Sequence, residues 1–564
     1  MVAVKLREII LLLVLVIAGV FTRIIGLEKL PPGLSADEAY LGYQAYSIVT
    51  SGYDEWGKGL FQSAFRGYGE YKPPIIIYLV SLSTWIFGKN YTSIRIMTAI
   101  FGGLTIPLTY LMVHELSKKK LIALLAAVLL LFSPWHLSFS RHAYENNIAI
   151  FFTVLQVWAF LAASKRPKCI YLSFLAMVLA LYSYHSNRII NPLLMLGMTV
   201  LYRRALRWRE YLIALVIAVV LAVPVGIALL SVSGQARFRQ TVFTRRIDPG
   251  VIVQTERDDC WQVWPRAACA LVSNKYRVLF GEYIKNYLDH YSPSILFVNG
   301  TFLNRHTVPD RGLMYLSMFP FVLLGISSII AEKRKGGLLV LFWLAVYPIP
   351  SSFSGVGELT RMEVLIPILC ILSAYGIWYS ALLLSRWIIN RRWRRVVISC
   401  YRIGVTGIIV LAVSRFILDY AVIFPRQYYR YFNFGYHELV DIIKRDSLLE
   451  HYDAVLVLSG YSVPTHHFAY EFPFPPNMYL NSDIEYSQNT EGFIDILRFG
   501  RLYFGSIIIL PELLARYNSD KVLVVSNWNA GNIFKEGSTR IFSILSPREE
   551  IIFEAASATE VSSL

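Results

Sequence analysis

Two adjacent carboxylates, Asp37 and Glu38, stand in the run Ser35-Ala36-Asp37-Glu38-Ala39-Tyr40, just beyond the first long apolar stretch of the chain. Acids this close to a lipid boundary are costly unless they are solvated, paired or put to catalytic use. The plainer account is a helix start, in which Ser35 caps and the acids suit the first turn; both can hold at once. The same loop continues into Gly67-Tyr68-Gly69-Glu70-Tyr71-Lys72-Pro73-Pro74. The prolines hold Lys72 at headgroup depth, a suitable place to meet a lipid phosphate, although a lysine there can also be an ordinary anchor whose stem snorkels. Four more loops carry a cation: Arg141 ahead of Tyr144-Glu145, Arg188 after Tyr184-His185, Arg305 beside His306, and Arg361. Singly these are span-end anchors. Together on one side of a membrane they ask for an anionic ligand, because arginine is disfavoured at outer ends.

The elements that must position these residues follow from composition and hydropathy. The chain has 564 residues, 55% hydrophobic and 16% charged, with a mean hydropathy of +0.48. A soluble protein carries roughly 25% charged residues to hydrate its surface. The balance here specifies an integral membrane protein and excludes a disordered one. Five cysteines are too few for a disulfide-built scaffold. The net charge of +16 is not a nucleic-acid footprint. It lies in short clusters at 118–120, 165–168, 203–209, 333–335 and 391–395, where a nucleic-acid-binding face would gather one continuous stripe. Clusters that punctuate apolar runs mark cytoplasmic loops.

Hydropathy gives about eleven spans. The first runs from Ile9 to Ile25 and leaves the N-terminus cytoplasmic; with no small-x-small site after it, it reads as an anchor rather than a signal peptide. The apolar run Pro73–Phe87 is short and opens on two prolines. Counted as a span it would move 118–120, 203–209 and 391–395 outside, so it reads as an interfacial helix. The outer face then receives a first loop over 28–91, a long loop over 231–312 and a tail over 425–564. The tail reads as a soluble α/β domain, with helical spacing over His437–Leu449 and short strands at Ala454–Leu458, Lys521–Val525 and Ile551–Glu554. Cys260 and Cys269 share the long outer loop, where a disulfide is favoured over two free thiols.

The order Asp37-Glu38, then Lys72-Pro73-Pro74, then Arg95 opening the next span resembles the GT-C class of membrane glycosyltransferases. The nearest likeness is to the group of dolichyl-phosphate-mannose–protein mannosyltransferases and lipid A aminoarabinose transferases. Ser138-Phe139-Ser140-Arg141 with Tyr144-Glu145-Asn146, the stretch 182–188 and the Arg361 region are similar to that group's loops. The resemblance implies a mainly α, polytopic membrane protein: a GT-C transmembrane catalytic domain over 1–424, with interfacial helices in its first outer loop, followed by the α/β domain over 425–564. It implies an inverting glycosyltransferase of the cytoplasmic membrane. A sugar moves from a polyprenyl-phosphate donor to an acceptor hydroxyl on protein, lipid or glycan at the outer face.

Asp37 matches the family's catalytic base, with Glu38 beside it. Lys72 matches a donor-phosphate contact, and Arg305, Arg361, Arg141 and Arg188 join it as candidates. Tyr40, Tyr144, Glu145, Tyr184 and His185 are the substrate-binding candidates. Glu70 and His306 would hold a divalent metal ion, the one cofactor implied. There is a departure here: relatives of the aminoarabinose kind place the acid directly before Lys-Pro-Pro, whereas Tyr71 separates Glu70 from Lys72. The chemistry suits such a site. Polyprenyl phosphate leaves as a monoester with a second pKa of about 6, so it needs cations rather than a general acid. One carboxylate base then suffices where glycoside hydrolysis needs two. The alternatives are another transferase or ligase acting on a lipid-linked glycan, and a transporter or flippase, whose charges should lie near the bilayer midplane rather than at outer ends.

Overall fold

The computed structural model describes residues 2–67, 71–231, 242–245, 247–300, 308, 311–355, 359–461, 464–472, 484–488 and 494–562. The chain divides into two compact units. One comprises Met1–Arg23, Ile100–Ser140 and Tyr144–Phe416; the other comprises Ile24–Ala99, Arg141–Ala143 and Ile417–Leu564.

The chain is mainly helical. Among the described residues five helices are long and apolar enough to cross a membrane: Tyr91–Ser117, Glu145–Ala162, Trp208–Leu230, Glu363–Trp387 and Arg391–Gln427. Five shorter apolar helices accompany them, among them Lys120–Leu131 and Cys169–Ser183. In Trp208–Leu230 and Arg391–Gln427 only 17% and 11% of the most apolar window is buried by protein. An apolar surface that open is tolerated where lipid covers it.

Within the first unit, glycines let helices approach closely, as small residues do in membranes. A Cβ on Gly376 would lie 1.8 Å from the Phe321 carbonyl oxygen, and one on Gly325 would lie 2.0 Å from that of Leu372. The helices Phe319–Glu332 and Ile366–Trp387 therefore pack backbone to backbone. A buried amide network ties three further helices. Asn187 donates to Thr153 Oγ1 at 2.9 Å and to Asn191 Oδ1 at 2.8 Å, and Asn191 donates to Gln156 Oε1 at 2.6 Å. Ser173 closes it on the Gln156 carbonyl at 2.9 Å. Cys260 and Cys269 are joined by a disulfide between the helices Pro249–Trp261 and Arg266–Val272.

The second unit combines the first loop with the tail. Its loop helices are Ala36–Ser51 and Pro74–Phe87, linked through a two-stranded ladder of β1 (Phe65–Arg66) and β2 (Tyr71–Lys72). The 14 residues of Pro74–Phe87 reach about 21 Å at 1.5 Å per residue, short of the roughly 30 Å hydrocarbon core. The tail carries β3 (Ala454–Leu458), β4 (Ile484–Gln488), β5 (Ile494–Phe499), β6 (Leu502–Gly505), β7 (Val522–Asn527), β8 (Phe542–Leu545) and β9 (Ile551–Ser557), in the order β4-β5-β6-β3-β7-β9-β8. The trio β6-β3-β7 is parallel and the remaining pairs are antiparallel. β3 and β7 are buried along their length, which their unbroken Val/Leu runs require. The helix expected over His437–Leu449 is two, Tyr436–Arg445 and Leu448–His451, because Ser447 takes a left-handed φ of 47° that ends the first. The helix Pro464–Glu471 lies on Ala36–Ser51, and Gly42 makes room: a Cβ there would sit 2.7 Å from the Tyr470 ring.

Candidate active site

Ser35 caps the helix Ala36–Ser51. Its hydroxyl accepts from the Glu38 N–H at 3.3 Å, and its own N–H donates to Glu38 Oε2 at 3.0 Å, a reciprocal capping box. The Glu38 side chain is thereby turned inward, where it is fully buried. Arg95, equally buried, meets it with two parallel bonds, Nε to Oε1 at 2.8 Å and Nη2 to Oε2 at 3.0 Å. The Ala143 N–H adds a further bond to Oε1 at 3.2 Å. Arg95 spends its remaining donors on the carbonyls of Leu27 and Pro31, each at 3.0 Å, and of Gly33. Burial pulls the Glu38 pKa up, but the Arg95 charge and hydrogen bonds pull it down further, so the net shift is below the ordinary carboxylate value. Such a carboxylate stays ionised and holds the chain; nothing leaves it free to take a proton.

Asp37, one residue earlier on the same turn, points the other way. Its side chain is 45% exposed and accepts from Lys72 Nζ at 2.9 Å, while the Lys72 side chain is 10% exposed. Lys72 is placed by the β1–β2 ladder, where it pairs with Phe65, and by the fixed φ of the prolines that follow. Tyr40, one helical turn beyond Asp37, donates to the Arg66 carbonyl at 2.9 Å, and Trp56 Nε1 donates to the same oxygen at 3.2 Å. The Arg66 guanidinium lies over the Trp56 ring at 4.4 Å. The hairpin that presents Lys72 is thus fastened to the helix that presents Asp37. In the same unit Arg141 is buried, donating to the Leu30 carbonyl at 3.2 Å, with its guanidinium 5.8 Å from the Tyr420 ring.

Two residues that the sequence did not single out stand behind this pair. The Glu55 carboxyl is buried, and its Oε2 lies 3.5 Å from His466 Nε2, on the tail helix Pro464–Glu471. Burial and the neighbouring Asp54 charge push the Glu55 pKa up to about 8, and burial holds His466 well below its usual value. The His466 ring meets Tyr40 edge-on at 5.2 Å and lies in the electrostatic field of Asp37. The available signal was the pair of doublets Asp54-Glu55 and His466-His467, which carry ionisable groups into otherwise apolar surroundings.

The other candidates lie in the first unit. Tyr144 precedes the helix Glu145–Ala162, with Glu145 in its first turn. Asn146 Nδ2 donates to the Thr360 carbonyl at 2.8 Å and so fixes that turn to the segment bearing Arg361. Arg361 is half-buried and has no ion-pair partner among the described residues. Two positions on, Glu363 is buried with neither carboxylate oxygen hydrogen-bonded. Tyr184 is buried at the end of Cys169–Ser183, His185 is half-buried, and Arg188 Nε donates back to the Leu181 carbonyl at 3.3 Å. Glu70, Arg305 and His306 lie outside the described residues. Among the described residues no cluster of three or more His, Cys, Asp or Glu side chains is arranged to hold a metal ion.

Comparison with known proteins gives this geometry a context: in part of its sequence and in its fold the chain is similar to membrane glycosyltransferases. Residues 71–227 match the family model of dolichyl-phosphate-mannose-protein mannosyltransferases. Over 124 residues the chain is 32% identical to the polyprenol-phosphate-mannose–protein mannosyltransferase of Corynebacterium glutamicum, a match that covers 22% of this chain and 24% of that protein. The chain therefore spans about a quarter of the length of the curated relative it matches. Two crystal structures of ArnT from Cupriavidus metallidurans, apo and bound to undecaprenyl phosphate, superpose with a TM-score of 0.52 each. The identities are 13% and 14%, with 100% of this chain and 99% of those chains covered. The likeness to ArnT shows the fold.

Proposed function

We propose that this protein is an inverting glycosyltransferase that moves a sugar from a polyprenyl-phosphate donor to an acceptor hydroxyl at the outer face of the cytoplasmic membrane. The observation that carries this is the division of labour between Asp37 and Glu38. One carboxylate is half-exposed and lies against a lysine; its neighbour is withdrawn into a buried arginine. The donor phosphate approaches Lys72, whose ammonium turns from Asp37 to the phosphate oxygens. Asp37 then faces the acceptor hydroxyl without that ammonium against it. The acceptor hydroxyl gives its proton to Asp37, and its oxygen bonds to the anomeric carbon. The bond from that carbon to the phosphate oxygen breaks with its electron pair, leaving polyprenyl phosphate neutralised by Lys72. Attack opposite the leaving group inverts the anomeric centre.

The family match over 71–227 and the ArnT fold support a lipid-phosphate donor, and the acceptor remains open among protein, lipid and glycan hydroxyls. In this reading about eleven spans cross the membrane, the basic clusters face the cytoplasm, and 425–564 lies outside. The direct test is single-turnover transfer from polyprenyl-phosphate-mannose by protein in nanodiscs, scored for anomeric configuration. Retention of configuration, or no consumption of any polyprenyl-phosphate sugar without an ion gradient, would sink the proposal. A reporter fused after Leu564 that proves cytoplasmic would overturn the topology.

A further inference from the structure

A concavity lies in the unit that holds Asp37 and Lys72, and the transfer chemistry makes no use of it. The cavity measures about 440 Å³ and is walled by the start of the first loop, the Lys89–Tyr91 corner and the tail segments around 433–438 and 470–471. That volume falls within the range of about 300–1,000 Å³ that small-molecule sites occupy. Six charged or ionisable groups line it: Glu28, Lys29, Lys89, His437, Glu438 and Glu471.

Two of these groups are paired with each other, and two more are hydrogen-bonded to neighbouring residues. Glu471, 6% exposed, accepts from the Tyr91 hydroxyl at 2.7 Å and lies 3.1 Å from His437 Nδ1. Lys89 donates to the Tyr470 carbonyl at 2.8 Å and sits 4.3 Å from the centre of that residue's ring. Glu28 accepts from the Thr92 N–H at 2.9 Å and hydroxyl at 2.7 Å. Burial alone would raise the Glu471 pKa, but the hydrogen bonds from His437 and Tyr91 bring it below the ordinary value. His437 in turn is raised, first by its bond to Glu471. Three carboxylates against two ammonium groups and this imidazole leave almost no net charge, so the cavity has no surplus cation for a phosphate and no surplus anion for a metal. What it has is spare hydrogen-bonding capacity. An ammonium has three donor positions, and a carboxylate has about four acceptor positions. Tyr91 and Phe434 supply aromatic surface beside those groups. Interleaved donors and acceptors beside aromatic rings match a polyol, whose hydroxyls both give and take hydrogen bonds while its C–H faces lie on rings.

We propose that this cavity binds a neutral saccharide, separately from the Asp37–Lys72 site. It shares the Pro32–Gly33 wall with the segment that Arg95 holds through the Pro31 and Gly33 carbonyls. The site is independent of the transferase reading, because binding requires no turnover.

The test uses full-length Asp37→Asn protein in nanodiscs, so that transfer does not consume the probes. Saturation-transfer NMR and calorimetry are run with maltose, α-mannobiose and chitobiose, each free and as its octyl glycoside, and with inorganic phosphate. At least one neutral disaccharide should bind at millimolar concentration or tighter. Lys89→Met and Glu438→Gln, both at half-buried positions and checked for an unchanged unfolding midpoint, should each weaken binding at least tenfold. Binding of the free sugar assigns a soluble glycan, and binding of the glycoside alone assigns a membrane glycolipid. No binding of any disaccharide in either form overturns the proposal. Affinity unchanged in both variants, or displacement of the sugar by phosphate, overturns it equally.

Discussion

Asp37 and Glu38 are the same functional group one residue apart, and their surroundings set them to opposite tasks. Around Glu38 the protein has gathered a bidentate guanidinium, two backbone N–H groups and complete burial, and the arginine in turn grips three loop carbonyls. Every donor in that knot has an acceptor, so exchanging a partner there breaks several bonds at once. Around Asp37 there is a lysine ammonium at 2.9 Å, and the carboxylate is 45% exposed. The half-exposed carboxylate leaves that pair open to an incoming anion. The contrast teaches that ionisation state alone does not mark a base. On the proposed mechanism, the base is the carboxylate whose cation an incoming phosphate can draw away.

The sharpest way to break the comparison is to neutralise the open acid. Asp37→Asn keeps size and hydrogen-bonding shape but removes basicity, and single-turnover transfer should fall about 10²–10⁴-fold, the usual scale of general-base loss. Expression and donor binding should survive, because the asparagine keeps an oxygen acceptor for the Lys72 ammonium. Turnover within a few-fold of wild type would reduce Asp37 to a helix-start acid. Next in size is Lys72→Ala. Losing one charge-assisted phosphate contact costs about 1.5–3 kcal/mol, roughly ten- to a hundredfold in donor affinity, measured as a shift in donor concentration dependence at fixed acceptor. An unchanged donor dependence would leave Lys72 a snorkelling anchor.

The two sides of the comparison were unequally legible in the sequence. The helix start at Ser35, the acid pair and the rigid Lys72-Pro73-Pro74 step are local, and local rules place them. The long runs of Trp208–Leu230 and of the valine-rich strands β3 and β7 declare themselves because burial in lipid or on both sheet faces leaves no polar interruption. What remained hidden is non-local. Nothing near Glu38 says that its partner is Arg95, and nothing near Glu55 says that a histidine from the tail closes on it. The β4–β5 hairpin was missed because Ile484–Gln488 mixes Glu, Ser and Gln into an edge strand, where pairing rather than hydrophobic pattern decides. Span counting met the same limit: several apolar helices are under 18 residues because prolines and polar corners interrupt them.

A smaller effect on turnover is expected at the buried acid. Glu38→Gln leaves Arg95 buried without a counter-charge, which costs about 3–5 kcal/mol of stability. The yield of folded protein and its unfolding midpoint should drop, while transfer per folded molecule stays within a few-fold of wild type. Replacing the pair by Glu38→Leu and Arg95→Met together should recover only part of the loss. The carbonyls of Leu27, Pro31 and Gly33 would then lack their donor. A large rate loss in well-folded Glu38→Gln would instead move the base one residue along and erase the contrast.

The smallest effect on turnover belongs to a further acid of the same loop, Glu55, and it concerns pH. Burial, then the Asp54 charge, raise the Glu55 carboxyl from its ordinary 4.5 to about 8, against weaker lowering by Gln44, Trp56 and Arg66. His466 faces it at 3.5 Å with its own pKa held down by burial, so it brings no charge to stabilise the ionised acid. Between pH 4.5 and about 8 the folded protein keeps a proton that the unfolded chain has released. Stability therefore falls as pH rises through that window and levels off above it. Glu55→Gln keeps the neutral shape and cannot ionise, so its unfolding midpoint should match wild type near pH 4.5 and exceed it progressively toward pH 8. The difference between the two midpoints isolates Glu55, since Glu38, Glu471 and His437 contribute alike to both proteins. Transfer at neutral pH should be unchanged. A midpoint difference that stays flat from pH 5 to 8 would show that Glu55 is ionised throughout, a further buried carboxylate carrying its charge as Glu38 does.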